Sequence, residues 1–551
     1  MRFRRVSAAV GVAAVAGGVF YAYRTNNNAG LAPQQTRYAS SAQSASPTGP
    51  PSDDVSDAVR KALVIEPTAL YTAVLPSDQP ISKDTDDYGR KIVEMMTPDQ
   101  VTQKLRTNEE SYLVGRGRGV VRYDVVQLPS NNPIEDDHAE KIIDVPQTVA
   151  ATENGANSTD WMFWGVFDGH SGWTTSAKLR QALISFVARE LNDTYASALK
   201  NPSVNLPTSE SVDTAIKKGF LRLDKEITED SVQKVLKAQS KPLAAELLAP
   251  ALSGSCALLS FYDSRSKELR VACTGDSRAV LGRRNANGKW TATALSVDQT
   301  GGNAAEEARM RAEHPNEPYV IANGRVLGGL EPTRAFGDAV YKWTKETQDL
   351  LKRTYFTRTP SRHLKTPPYV TAEPVVTTTK VQPESGDFVV MATDGLWEML
   401  TNEEVVGLVG QWLETEARNK GSSPPSSNST SDSWLKSWFG SSPGSGSANT
   451  LPVEGQRAPI RQQQWGVNAA NERFVVKDRN AATHLVRNAL GGKDEDMVSA
   501  LLTLPSPYSR RYRDDLTVEV IFFGEATGDG KVELNKEASA SASLEGVKAK
   551  L

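Results

Sequence analysis

An α+β domain with antiparallel sheets flanked by helices is the fold class that this sequence predicts, and three observations predict it. Short apolar runs and helical patterns share the middle of the chain without any repeated period. Two of the runs are joined by Asn285–Lys289, NANGK, whose Asn-Gly reads as a hairpin turn, and strands linked that tightly must be antiparallel. The helical patterns are clustered, which suits helices packed on the faces of such sheets.

The elements follow in order. The pattern predicts strands at Met162–Phe167, Cys256–Tyr262, Leu269–Thr274, Ala279–Gly282, Trp290–Leu295, Phe388–Thr393 and Leu516–Phe523. It predicts helices at Thr174–Leu191, Val212–Ile227, Ser231–Leu248, Ala304–Glu313, Glu403–Thr415 and Arg479–Leu490. Gly301-Gly302-Asn303 marks the start of one helix, and Gly491-Gly492 closes another.

With 551 residues the chain can hold one large domain plus appendages. Residues 1–30 carry four arginines, and no acid appears before Asp53, the composition of a mitochondrial targeting segment. Within it, Val6 to Tyr23 is a run of 18 uncharged, weakly apolar residues, at the lower limit for a membrane span. An inner-membrane anchor, later clipped, is compatible with that run. A secretory signal is the rival reading, but disulfide cysteines and a clean cleavage site are missing. Residues 31–56 read as a linker, and 57–525 as the folded domain. At about 419–461 a Ser/Gly/Pro-rich insertion interrupts the domain; its WLKSWF island could dock on a partner or on the chain itself. The polar tail, 526–551, ends in Ala549-Lys550-Leu551, a small-basic-Leu peroxisomal pattern that three residues also meet by chance.

Composition excludes some classes. A net charge of −3 argues against a nucleic-acid binder. Two cysteines, Cys256 and Cys273, and five scattered histidines favour buried reduced thiols over a disulfide or a zinc centre.

Acids stand where predicted strands begin or end: Asp168 in WGVFDGHSGW, Asp276 in CTGDSR, Asp394 in VVMATDGLWEML, and Asp514-Asp515 in YRDDLTVEVIFF. Three of them adjoin a glycine, which permits a sharp turn or a close backbone approach. Each Asp-Gly alone is ordinary turn chemistry, and Glu135-Asp136 reads equally well as a solvated loop. Together they form an oxygen-only set of the kind that suits Mg²⁺ or Mn²⁺, and two such ions can hold a hydroxide against phosphorus. His170, beside Asp168, is chemically suited to protonate a departing alkoxide, although a hydrogen-bonded turn residue is the alternative. Spacing points to a metal site without naming the reaction.

The segments FDGHSG (167–172), SGSCALLSF (253–261), TGDSRAVLG (274–282), EPTRAFGD (331–338), ATDGLWEML (392–400) and RDDLTV (513–518), in this order, resemble the type 2C, Mg/Mn-dependent Ser/Thr protein phosphatases. The resemblance runs from about Asn131 to Phe523 and implies a central β-sandwich of two antiparallel sheets with a binuclear metal centre at one edge. It implies that Asp168 bridges two ions, that the Gly169 carbonyl binds one of them, that Glu135 is a ligand of the second, and that Asp394 and Asp514 hold the first. His170 matches the general acid. Asp276 and Glu398 match positions associated with a third, weaker ion, and Asp515 stands as a neighbour rather than a ligand. Many members place an arginine four residues before the Glu to grip the substrate phosphate; here that position is Asn131, and Arg334 is an alternative grip that could equally be structural. The segments Asn131–Asp136, RAFGDAVYKW and TPPYVTAEP are similar to those of the pyruvate dehydrogenase phosphatase branch. The expected activity is therefore removal of phosphate from Ser/Thr of a mitochondrial phosphoprotein, the pyruvate dehydrogenase complex first. Another mitochondrial or peroxisomal client, or a non-catalytic phosphoprotein-binding scaffold, is the alternative.

Overall fold

The computed structural model describes residues 60–66, 70–75, 85, 90–146, 158–200, 206–355, 357–419, 473–525 and 530–540. The expected targeting segment, the WLKSWF island and Ala549-Lys550-Leu551 lie outside these residues. Among the described residues no helix is long and apolar enough to cross a membrane.

Two antiparallel sheets face each other. One has the strand order Val375–Lys380, Glu268–Thr274, Ala257–Asp263, Ser158–Phe167, Asp137–Pro146. The other runs Trp290–Ala294, Arg278–Arg284, Phe388–Ala392, Leu516–Phe523, Val120–Leu128, Glu109–Val114, Val532–Leu534. Successive side chains on a strand point to opposite faces, and here both faces are dry. Met162, Trp164 and Val166 meet Met391, Val389, Ile521 and Phe523 between the sheets. Trp161, Phe163 and Phe167 turn outward onto helices Thr174–Leu199, Ser209–Lys225, Ser231–Ala238 and Lys241–Leu252. Phe388, Val390, Val518 and Val520 turn outward onto helices Pro98–Arg106, Asn402–Asn419, Ala481–Leu490 and Glu495–Thr503. Four layers, helix–sheet–sheet–helix, explain why these strands read as unbroken apolar runs: each has two cores to fill.

The expected strands and the NANGK hairpin are present, the latter closed by Asn285 N–H to the Lys289 carbonyl (2.8 Å) with Gly288 at φ +74°. The helix expected over Ser231–Leu248 is instead two. Gln239 adopts the left-handed conformation at φ 51°, and Ser240 caps a new helix with Pro242 in its first turn, where proline is tolerated. The expectation of helix from Val212 to Ile227 also shifts, since the α-helix ends at Lys225 and a π-helical turn, Glu226–Asp230, follows.

Strands at Val120–Leu128 and Asp137–Pro146 were not expected from the pattern, because charged residues interrupt their apolar ones: Asp124 in the first, on its helix-facing side, and His138 and Glu140 in the second. His138 Nδ1 and Glu140 Oε1 lie 2.5 Å apart, and the fully buried Glu519 from the opposite sheet reaches the same cluster, beside Glu140 and with no N–H or hydroxyl donor among the described residues. Burial, then Glu140 beside it, pushes the Glu519 carboxyl well above the ordinary range. An acid with a raised folded pKa binds more protons folded than unfolded, so its burial costs little at low pH and destabilises as pH rises past the normal glutamate range. Glu519→Gln is therefore expected to raise the melting temperature at pH 8 and leave it nearly unchanged near pH 4. Equal shifts at both pH values, read from thermal melts, would count against a neutral buried acid.

Candidate metal centre

The strands of both sheets finish at a common edge, and the acids lie just beyond their ends. Asp137 pairs with Phe167, Ala257 with Thr274, and Ala392 with both Arg278 and Val518. Asp168 therefore follows one strand end, Asp276 occupies the turn after Thr274, and Asp394 follows Ala392-Thr393. Glu135-Asp136 and Asp514-Asp515 precede the strands that enter from the same edge. One carboxylate oxygen from each of Asp168, Asp276 and Asp394 lies within 4.8 Å of the others.

Glycine beside each acid is required by packing. A Cβ on Gly169 would lie 2.0 Å from the Glu135 carbonyl oxygen, one on Gly395 would lie 2.2 Å from that of Asp515, and one on Gly275 would lie 2.3 Å from Cys256 Sγ. These are close approaches of backbone segments that bring the acids together, and not only turns. Asp394 opens the helical turn Asp394–Trp397; its N–H reaches Asp168 Oδ2 at 3.4 Å, and its buried Oδ1 has no hydrogen-bond partner among the described residues. Glu398, one turn on, has its carboxyl pushed up to about 7 by burial and then by repulsion from Asp514.

Asp136 was not among the expected site residues. Glu135-Asp136 lie in a loop, but not a solvated one: Glu135 is partly buried with its N–H on Asp515 (2.9 Å), and Asp136 is buried. Asp136 Oδ2 accepts from the hydroxyls of Thr393 (2.9 Å) and Thr517 (2.8 Å), which ties three strand ends together. Two threonines at the ends of two apolar strands were the available signal. Asp515 is a neighbour, as expected, and it organises the 130–135 loop: its oxygens accept the N–H groups of Ser130, Asn131 and Glu135 and the Asn131 side-chain amide (3.0 Å).

Burial first, and repulsion among neighbouring carboxylates next, push Asp168, Asp394 and Asp136 well above the ordinary carboxylate range. Asp514 is raised by burial as well, although the Arg510 guanidinium paired with it pulls the other way. A buried set of acids with an orphaned oxygen at its centre and only oxygen donors is the environment of a hard divalent cation. Asp168, Asp276, Asp394, Asp514 and Glu135 fit that role by donor type and position.

His170 lies in the two-residue strand Gly169–His170, which pairs with Gly254–Ser255. Its Nε2 meets Asp338 Oδ2 at 2.6 Å. A Cβ at Gly254 would fall 2.1 Å from that nitrogen and 2.3 Å from that oxygen, so glycine there leaves room for the pair. Burial lowers the imidazole pKa, but attraction to and hydrogen bonding with Asp338 outweigh it, and the net shift is upward. Asp338 was quoted in a motif without a role; its left-handed φ of 47° and its burial hold it against the ring. Arg334 was expected either to grip phosphate or to be structural; its guanidinium holds Glu306 (2.8 and 3.1 Å) and the Glu373 carbonyl (2.9 Å), contacts that favour the structural alternative.

Residues 132–426 match the family model described as protein phosphatase 2C. The chain is 43% identical over 472 residues to the mitochondrial pyruvate dehydrogenase (acetyl-transferring) phosphatase 1 of Saccharomyces cerevisiae, covering 82% of this chain and 78% of that one. It is 43% identical over 430 residues to a protein phosphatase 2C homolog of Schizosaccharomyces pombe (78% and 86% covered), and 30% identical over 491 residues to the mitochondrial pyruvate dehydrogenase phosphatase 1 of Homo sapiens (78% and 83%).

Proposed function

The chain belongs to the protein phosphatase 2C family and is a metal-dependent protein-serine/threonine phosphatase, and on that premise we propose that it dephosphorylates the pyruvate dehydrogenase complex in mitochondria. The relatives named as pyruvate dehydrogenase phosphatases and the acid-free, arginine-bearing first thirty residues support this client and this compartment. The observation that carries the chemistry is the meeting of Asp168, Asp276 and Asp394 at one sheet edge, with the partnerless Asp394 Oδ1 among them. A non-catalytic scaffold has no need to keep these buried charges.

In this reading Asp168, Asp394, Asp514, Glu135 and the Gly169 carbonyl would hold Mg²⁺ or Mn²⁺, and Asp276 and Glu398 would serve a further, weaker site. When bound, such ions supply an activated water and stabilise charge on the phosphoryl group. Asp136 holds Thr393 and Thr517 so that Asp394 and Asp514 keep their places. Asp338 engages His170 Nε2, which leaves Nδ1 to deliver a proton to the departing serine or threonine oxygen. Asn131 anchors the loop that carries Glu135.

The direct test is phosphate release from phosphorylated pyruvate dehydrogenase complex by the purified protein with Mg²⁺ or Mn²⁺, paired with a phosphoproteome of cells carrying Asp168→Asn. Accumulation of phospho-pyruvate dehydrogenase is expected. Accumulation of other phosphoproteins with pyruvate dehydrogenase unchanged would transfer the same chemistry to a different client.

A further inference from the structure

We propose that Arg510, from the loop before strand Leu516–Phe523, grips the substrate phosphate in place of the arginine that is missing at position 131; this rests on the phosphatase reading above. Three candidate grips are otherwise committed. The Asn131 amide is bonded to Asp515 and carries no charge. Arg334 is held by Glu306. Arg513 is buried, with its guanidinium on the carbonyls of Pro129 and Leu501.

Arg510 differs from all three in place and in partner. Its guanidinium pairs with Asp514 and lies in electrostatic range of Asp394 and Asp168, while Glu135 feels its charge from the other side. Its side chain is 46% exposed against 16% for Asp514, so it stands at the rim of the acid cluster and faces solvent. The loop that carries it is stitched to the loop that carries Asn131: Ser509 Oγ donates to the Ser130 carbonyl at 2.6 Å, and Asp515 takes the Ser130 and Asn131 N–H groups. A guanidinium therefore reaches the same corner of the site from the adjacent segment.

The pairing with Asp514 is one that a divalent ion would weaken. An ion on that carboxylate takes up its charge and repels the guanidinium, and a dianionic phosphate arriving over the cluster is the stronger partner. Arginine's planar fork matches two phosphoryl oxygens, and such charge-assisted pairs are about twice as strong as neutral hydrogen bonds. In this way Arg510 holds the cluster's charge before the ions arrive and binds the phosphoryl group afterwards.

The test uses the full chain saturated with Mn²⁺ and inorganic phosphate as the probe, with affinity read by calorimetry. Arg510→Ala is expected to weaken phosphate binding at least about tenfold and to raise KM for a phosphopeptide more than it lowers kcat. Adding Asn131→Arg to that variant should recover part of the lost affinity, which a general structural defect would not allow. Mn²⁺ affinity and thermal melts are measured in parallel. Unchanged phosphate affinity at saturating Mn²⁺, or a loss that disappears once Mn²⁺ is saturating, would overturn the proposal and leave Arg510 as a support for Asp514. Should the wild-type protein with Mn²⁺ bind no phosphate and release none, the phosphatase reading itself fails, an outcome distinct from the failure of Arg510 alone.

Discussion

Asp168→Asn is expected to lower kcat on a phosphopeptide by a hundred- to a thousand-fold or more, on the order of the loss when one preorganised electrostatic group is removed from an active site. The same change should raise the melting temperature of the metal-free protein. Asp168 is half-buried among Asp136, Asp514, Asp276 and Asp394, so ionising it without a cation works against desolvation and against four like charges. Asparagine keeps the shape and removes the charge. The wild-type protein should gain stability on adding Mn²⁺, about 2.7 kcal/mol at a hundred times the dissociation constant, and the variant should gain much less. Melts with and without Mn²⁺, alongside turnover, check both halves. A variant that keeps its turnover and its full Mn²⁺-dependent rise would remove Asp168 from the centre.

His170→Ala is expected to slow hydrolysis of phosphoserine and other alkyl phosphates by about 10²–10⁴-fold, the usual contribution of a positioned general acid. Hydrolysis of p-nitrophenyl phosphate should fall far less, because its phenolate leaves without a proton. Asp338→Asn should show the same leaving-group pattern in weaker form. The hydrogen bond at 2.6 Å to His170 Nε2 survives in geometry, while the attraction that favours imidazolium is lost. Equal losses on both substrates would assign His170 to the architecture of the site and leave proton delivery to another group.

The parts of the fold that were legible are those with two apolar cores to satisfy. Phe388–Ala392 and Leu516–Phe523 announce themselves because both faces of each are buried and, Thr517 and Glu519 apart, apolar. Val120–Leu128 and Asp137–Pro146 were invisible because Asp124, His138 and Glu140 interrupt that pattern; Asp124 is satisfied by Arg122 and the Ala481 N–H, and His138 by Glu140. The break at Gln239 was likewise hidden, since the apolar periodicity carries on across it while the backbone does not.

For the site, the ordered motifs placed Asp168, Asp276, Asp394 and Asp514 at strand ends, and pairing register delivers strand ends to one edge whatever lies between them. That much the sequence by itself determined, along with the family and its metal-dependent chemistry. Only the tertiary structure decided the contacts between residues far apart in the chain: Asp338 on His170, Asp136 between Thr393 and Thr517, Glu306 on Arg334, and Arg510 on Asp514 over a loop stitched to Asn131. A one-dimensional pattern records which face of an element is buried. It does not record which distant partner a polar group meets once there, and for charge in a dry interior that partner decides the role.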